Sequence, residues 1–301
     1  MMKGSVHIKV YSDRLGYDFT ITRKITIITG DSGTGKSVMV QMLRDSKDET
    51  LDIKNESSAV CVTVNSDDWE RELTGIHDSV VFIDEFVTDF TSQEFAAYVS
   101  SSSNYFVLIT REPLKQLAYS VKEVYNMTID QKYSKLVRVH NTIEKRYLPN
   151  NDALINDTDV IITEDESAGH KFFTKLFSNN ICVAAGGNGK IPAKINEYKN
   201  KKILVIGDGA AFGAHISKLS PLVKKRGYQY NSELILYLPE SFEYLILKTG
   251  LFDKYIPDIP DMPSVQKILG TPQDYIEASE FNSWEKFFTR ILTSVTKNWS
   301  P

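Results

Sequence analysis

Gly30-Asp31-Ser32-Gly33-Thr34-Gly35-Lys36-Ser37 is a full match to the phosphate-binding pattern G-x-x-x-x-G-K-[ST], and its flanks suit the pattern as well as its letters. The preceding Lys24-Ile25-Thr26-Ile27-Ile28-Thr29 is a short β-branched run of buried-strand type, and residues 37–44 carry apolar side chains at helical spacing. Strand, glycine turn and helix start together make an anion site. Backbone N–H groups converge there, and the helix dipole adds about half a positive charge. Gly33 and Gly35 permit positive φ and a close approach of phosphate oxygens. Lys36 is expected to bridge the β- and γ-phosphates, and the Ser37 hydroxyl to ligate Mg²⁺. The expected ligand is a nucleoside triphosphate lying along residues 30–37.

A second element follows downstream. Val80-Val81-Phe82-Ile83 would place Asp84 and Glu85 at the exposed end of a buried parallel strand. Asp84 there can hold Mg²⁺ through its water shell, and Glu85 can act as the general base toward the attacking water. The run Tyr105–Ile109 ends in Thr110-Arg111, a polar pair placed to sense the γ-phosphate. The alternative for Arg111 is a solvated cation in a loop.

The rest of the first half alternates strands and helices. Strands are expected at His7–Ser12, Tyr17–Ile21, Lys24–Thr29, Ala59–Asn65, Ser79–Asp84, Tyr105–Thr110, Glu123–Ile129 and Lys135–Ile143. Helices are expected at Ser37–Ser46, Asp67–Thr74, Ser92–Ser101 (capped by Thr91 or Ser92) and Pro113–Ser120. This alternation predicts an α/β fold with a largely parallel, doubly wound sheet. An Asn/Asp-rich stretch around 148–159 is the expected boundary, giving a nucleotide-binding domain over 1–148 and a second α/β domain over 158–301. In the second, strands at Asp159–Thr163, Ile181–Ala185, Lys202–Ile206 and Glu233–Leu238 alternate with helices at Ser167–Phe177, Ile191–Lys199, Phe212–Lys225 and Ser241–Leu251. A proline-rich tail and an aromatic helix over Glu280–Val295 follow.

With 301 residues, 42% hydrophobic and 25% charged, the composition is that of a globular protein, and the net charge of −4 argues against a whole-surface grip on nucleic acid or anionic lipid. Cys61 and Cys182 each sit in an apolar run, which reads as buried thiols rather than a redox pair. No apolar signal core and no run of membrane-span length is present, so the expected location is cytoplasmic, with no membrane partner.

The loop, the Asp84-Glu85 pair and the additional strand Ala59–Asn65 between them resemble the additional-strand division of P-loop ATPases over roughly residues 5–145. The strands ahead of the loop look most like the ABC/SMC/OLD-type ATPases, in which antiparallel strands lead into it. The chain differs from the ABC pattern in having no Leu-Ser-Gly-Gly-type signature, too short a segment between Arg44 and Ser79 for a helical subdomain, and Arg111 where a histidine is common. GTPases fit less well, because the Asp-x-x-Gly switch is absent and Asn200-Lys201-Lys202-Ile203 lacks the guanine-binding aspartate. The resemblance implies ATP with Mg²⁺.

In the second half, acidic residues cluster at strand ends: Glu164-Asp165-Glu166, Asp208, and Glu240 with Glu243. Converging carboxylates suit a hard cation. The order resembles a Toprim domain over about 158–250. It implies metal ligation by Glu164 and Asp208, with Gly186-Gly187 as the turn after the second strand. The second position of its Asp-x-Asp motif is Ala210 here, and Glu240 or Glu243 could supply the missing ligand. Helix capping is the other reading of the acidic tips, suiting Asp165 and Glu166 better than Glu164. A rival for Gly207–Gly213 is a dinucleotide fingerprint, although no acidic residue follows at the expected distance. His170 and His215 lack metal spacing.

An ATPase followed by a Toprim-like domain is the order of the OLD-family ATPase-nucleases. That resemblance implies ATP hydrolysis controlling a metal-dependent nuclease domain, with nucleic acid, self-association or a protein partner as further partners. The alternative is a nucleotide-dependent regulatory or scaffold protein whose second domain is degenerate.

Overall fold

Alternating burial makes β1 (Val6–Tyr11) and β2 (Gly16–Ile21) one antiparallel hairpin, with Val6 opposite Ile21 and Val10 opposite Tyr17. The computed structural model describes residues 2, 4–87, 89–130, 133–138, 158–229 and 234–239. From the hairpin the chain enters β3 (Ile25–Thr29), turns through 30–35 and runs into α1 (Lys36–Asp45). Met39, Val40, Met42 and Leu43 form the buried face of α1 and join the core that holds Ile8, Phe19, Phe82 and Val107.

β4 (Lys54–Asn55) adds a short antiparallel pairing to β1, and β5 (Cys61–Val64), α2 (Trp69–Glu72) and β6 (Val80–Ile83) follow. Next comes α3 (Gln93–Ser101), where the Ser92 hydroxyl accepts from Phe95 N at 3.1 Å. Its buried Phe95 meets the Trp69 ring edge to face at 5.2 Å. β7 (Tyr105–Ile109), β8 (Val124–Asp130) and β9 (Tyr133–Arg138) complete a sheet ordered β4-β1-β2-β9-β8-β3-β7-β6-β5.

Five neighbours, β8-β3-β7-β6-β5, run parallel, so their C-terminal ends share one edge. β6 and β7 are buried at every position, as central parallel strands are. The other side carries the antiparallel strands expected ahead of the loop. β1, β2, β4 and β9 make a wing with antiparallel β1–β2, β1–β4 and β8–β9 pairings, joined by a parallel β2–β9 contact. The sequence order misplaces the inserted strand. β5 lies at the sheet edge, and β7 is the strand between β3 and β6. Residues 113–120 are not helical either. Leu114, Leu117 and Tyr119 are buried from an irregular segment whose three-residue spacing only imitates a helix.

A separate sheet forms from β10 (Val160–Thr163), β11 (Ile181–Ala184), β12 (Ile203–Ile206) and β13 (Leu234–Tyr237), all parallel, in the order β11-β10-β12-β13. The connecting helices are α4 (Ala168–Leu176), α5 (Ile191–Glu197) and α6 (Gly213–Gln229). The first crossover leaves β10 in one direction and the second returns past it to β12. Crossovers of one hand therefore place α4 and α5 on opposite faces, with a switch point between β10 and β12. The expected boundary between residues 148 and 158 lies outside the described residues, as do Glu240, Glu243, the helix expected at Ser241–Leu251 and that over Glu280–Val295.

Candidate functional site

The loop at 30–37 is built by its glycines. Gly30, Gly33 and Gly35 have φ of 146°, 81° and 91°. At Gly30 a second constraint applies, because a Cβ would lie 3.0 Å from both Asn126 Oδ1 and Met127 O of β8. Gly35 is the N-cap of α1, which has no side-chain cap and no acidic residue in its first turn. The first helical N–H groups therefore meet no competing anion from these positions.

Lys36 is 5% exposed, and its ammonium donates to Gly30 O and Asp31 O, both at 2.9 Å, with Thr34 Oγ1 at 3.4 Å. Thr34 Oγ1 also donates to Asp31 O at 2.9 Å. The loop thus curls around its own lysine. Asp31, Ser32 and Gly33 are exposed at the rim, and Ser37 is half-buried in the first turn of α1.

The parallel register carries the other candidates to the same edge. Ile28 pairs with Ile109, and Leu108 with Ile83, so Gly30, Thr110 and Asp84 leave neighbouring strands at one end of the sheet. Two strand spacings of roughly 4.8 Å separate the β3 and β6 ends. Asp84 is buried, and its Oδ1 accepts from Glu85 N at 2.7 Å. Glu85 is half-buried and paired with Arg111, Nε to Oε2 3.5 Å. Thr110 is buried, with its hydroxyl held in its own turn: it accepts from Glu112 N at 3.0 Å and donates to Glu112 O at 3.2 Å.

Two residues of this region carried no weight in the sequence reading. Tyr17, on β2, is fully buried, and its hydroxyl donates to Gly35 O at 2.7 Å. An aromatic residue at an inward strand position reads simply as core, so nothing in the sequence marks that hydroxyl. Asn126 lies against Gly30, and an amide inside Val124-Tyr125-Asn126-Met127 is a signal that could have found it.

In the second unit, Glu164 follows β10 and reaches across the switch point. Its Oε2 accepts the backbone N–H of Asp208, just past the end of β12, at 2.9 Å. Burial pushes the Glu164 carboxyl above its ordinary range, against the lowering effect of that hydrogen bond. Asp165 caps α4, with Oδ2 accepting from Ser167 N and Gly169 N at 3.1 Å. The capping reading therefore holds for Asp165. Glu166 has another place, with its carboxylate over Gly186. His170 bonds Thr163 Oγ1 through Nδ1 at 2.9 Å.

Ala210, at the second position of the Asp-x-Asp comparison, is 1% exposed and belongs to the interior rather than to the surface of the site. Among the described residues no three His, Cys, Asp or Glu side chains are grouped to hold a metal ion, and no helix is long and apolar enough to cross a membrane. No family model and no curated protein matches this chain.

Proposed function

We propose that the first unit binds a Mg²⁺–nucleoside triphosphate, ATP, along residues 30–37 and hydrolyses it. The observation that carries this reading is the loop itself, in which three positive-φ glycines join a buried parallel strand to an uncapped helix start around a buried, carbonyl-bound Lys36. Lys36 is fixed where β- and γ-phosphate oxygens would meet its ammonium. The all-oxygen pair of Ser37 and Asp84 suits Mg²⁺, which would neutralise phosphate charge and polarise the terminal phosphoryl group. Glu85, on the strand end beside Asp84, is the candidate base. It takes the proton of a water whose oxygen bonds to the γ-phosphorus as the β–γ bridging bond breaks, releasing ADP and phosphate. The inserted β7 and the antiparallel hairpin before β3 support the additional-strand, ABC/SMC/OLD-like reading of this unit.

For the second unit the order β11-β10-β12-β13, with Glu164 and Asp208 at its switch point, supports a Toprim-like reading and hence a resemblance to OLD-family ATPase-nucleases. One observation favours the regulatory alternative. The position that would supply the second aspartate is a buried alanine, so the described ligand set is Glu164 and Asp208 alone. We infer that ATP binding in the first unit is the primary activity and that the second unit acts as its nucleotide-dependent effector, through nucleic acid or a protein partner.

The test is calorimetric titration of the full chain with Mg²⁺–ATP. Lys36→Ala and the similarly shaped Lys36→Met should each weaken binding by about tenfold or more, since a desolvated charge-assisted contact is lost. Glu85→Gln should retain binding and slow phosphate release by roughly a hundredfold or more. Unchanged affinity in both Lys36 variants would refute the site.

A further inference from the structure

β11 heads the order of the second sheet and pairs with β10 alone. Ile181 N donates to Asp159 O and Ala185 N to Thr163 O, so residues 181, 183 and 185 commit their backbone groups to β10. By alternation, Cys182 and Ala184 turn theirs outward, where no strand among the described residues meets them. We propose that this edge is the interface with a second copy of the chain, two β11 strands pairing antiparallel about a two-fold axis at Val183. The interface lies wholly in the second unit and does not depend on nucleotide.

Three observations carry it. The edge is unprotected: sheets blunt an open edge with charge, proline or a bulge, and Ile181-Cys182-Val183-Ala184 has neither charge nor proline. Ile181 is 51% exposed, and Leu176, in the last turn of the α4 helix beside β11, is 60% exposed. The edge also matches itself in hydrogen bonding. With Val183 on the axis, Cys182 faces the partner's Ala184 and Ala184 faces the partner's Cys182, so every outward N–H meets a carbonyl.

The third observation is charge. α4 leads from the end of β10 back to the start of β11, which puts Lys175 at the N-terminal end of β11. Asp165 and Glu166 stand at the other end, two acids to one base, with the Glu166 carboxylate and the Lys190 ammonium over Gly186. Asp159, at the Lys175 end, accepts from Lys202 N at 2.9 Å. Antiparallel pairing therefore brings each Lys175 toward the partner's Glu166. β5 also ends a sheet, with Val60 65% exposed before it, but it runs into Asp67, Asp68 and Glu70, and Asp78 lies ahead of its neighbour β6. A two-fold pairing there would set acid against acid, so charge selects β11.

The experiment is sedimentation equilibrium of the full chain without nucleotide, in which the wild type should be a dimer. Ile181→Lys places a cation on the edge, and Ala184→Pro removes an outward N–H while sparing every bond to β10. Each change acts twice in a two-fold interface and should weaken the dimer by about tenfold or more. Lys175→Glu and Glu166→Lys should each weaken it severalfold, and the double reversal should recover it. Register is read by oxidation in a Cys182→Ser chain. Val183→Cys should form an intermolecular disulfide, since the non-hydrogen-bonded pair on the axis holds its Cα atoms about 4.5 Å apart. Ile181→Cys should not, because that pair is roughly 14 Å apart although the site is half exposed. A wild type that stays monomeric at its highest soluble concentration overturns the proposal. So does a dimer indifferent to both Ile181→Lys and Ala184→Pro, or an Ile181→Cys chain that cross-links as readily as Val183→Cys.

Discussion

The Tyr17 hydroxyl donates to the carbonyl of Gly35 at 2.7 Å, and the same carbonyl accepts the first helical bond of α1 from Met39 N at 3.0 Å. A strand well ahead of the loop in the chain thus fixes the residue on which the loop becomes a helix. Tyr17→Phe removes one of two donors and leaves the ring in place. It should cost about 0.5–1.5 kcal/mol in urea denaturation and weaken nucleotide binding severalfold, because the α1 start is less firmly held. Wild-type affinity in the Phe variant would show that the anchor is not coupled to the site.

Ala210 gives the sharpest test of the second unit. Ala210→Asp restores the Asp-x-Asp spelling at a 1% exposed position, which buries a carboxylate without a partner. The expected result is a loss of about 3–5 kcal/mol and no rise in Tm with Mn²⁺ or Mg²⁺. A folded variant that gains thermal stability from either cation would show that position 210 can complete a metal-ligand set.

Gly209 is held by close approach. Its N–H donates to Pro239 O at 2.6 Å, and a Cβ would fall 2.5 Å from Leu238 O and 2.8 Å from Pro239 O. Backbone would have to move, so Gly209→Ala should destabilise by about 1–3 kcal/mol. An unchanged denaturation midpoint would refute that constraint.

Glu164 sets a pH dependence of definite sign. Its folded carboxyl binds a proton more tightly than the ordinary carboxyl of 4.5. The folded state therefore holds more protons than the unfolded one between those values, and stability from this group falls as pH rises through that window. Glu164→Gln can still accept from Asp208 N and carries no charge. Relative to wild type it should be more stable at pH 7 and indistinguishable at pH 3, measured by urea midpoints. A variant less stable at pH 7 would mean that the ionised carboxylate is net favourable there.

Local signals made the first site legible. A β-branched run, glycines at fixed offsets and a helical apolar pattern specify strand, turn and helix within one short segment, and the structure forms β3, the 30–37 loop and α1 there. Asp84 and Glu85 were readable because Val80–Ile83 is buried throughout. The irregular course of 113–120 was not, since buried side chains at 114 and 117 satisfy a helical pattern without helical backbone. Capping by Asp165 was open to inspection of the sequence, but the reach of Glu164 to Asp208 N depends on β10 and β12 being neighbours.

The sequence by itself determined the elements whose information is local: the glycine loop with Lys36 and Ser37, the acidic end of β6, the α/β alternation, and a helix start capped at 91 or 92, which the structure settles on Ser92. Tertiary structure alone decided which strands became neighbours. It put β7 between β3 and β6, which brings Arg111 to Glu85, and set Tyr17 under Gly35 and Asn126 against Gly30. It also turned Ala210 into the interior. The reason is physical. Backbone propensity and apolar period act over a few residues, whereas strand order is fixed by which buried faces and hydrogen-bonding edges satisfy one another across the whole chain.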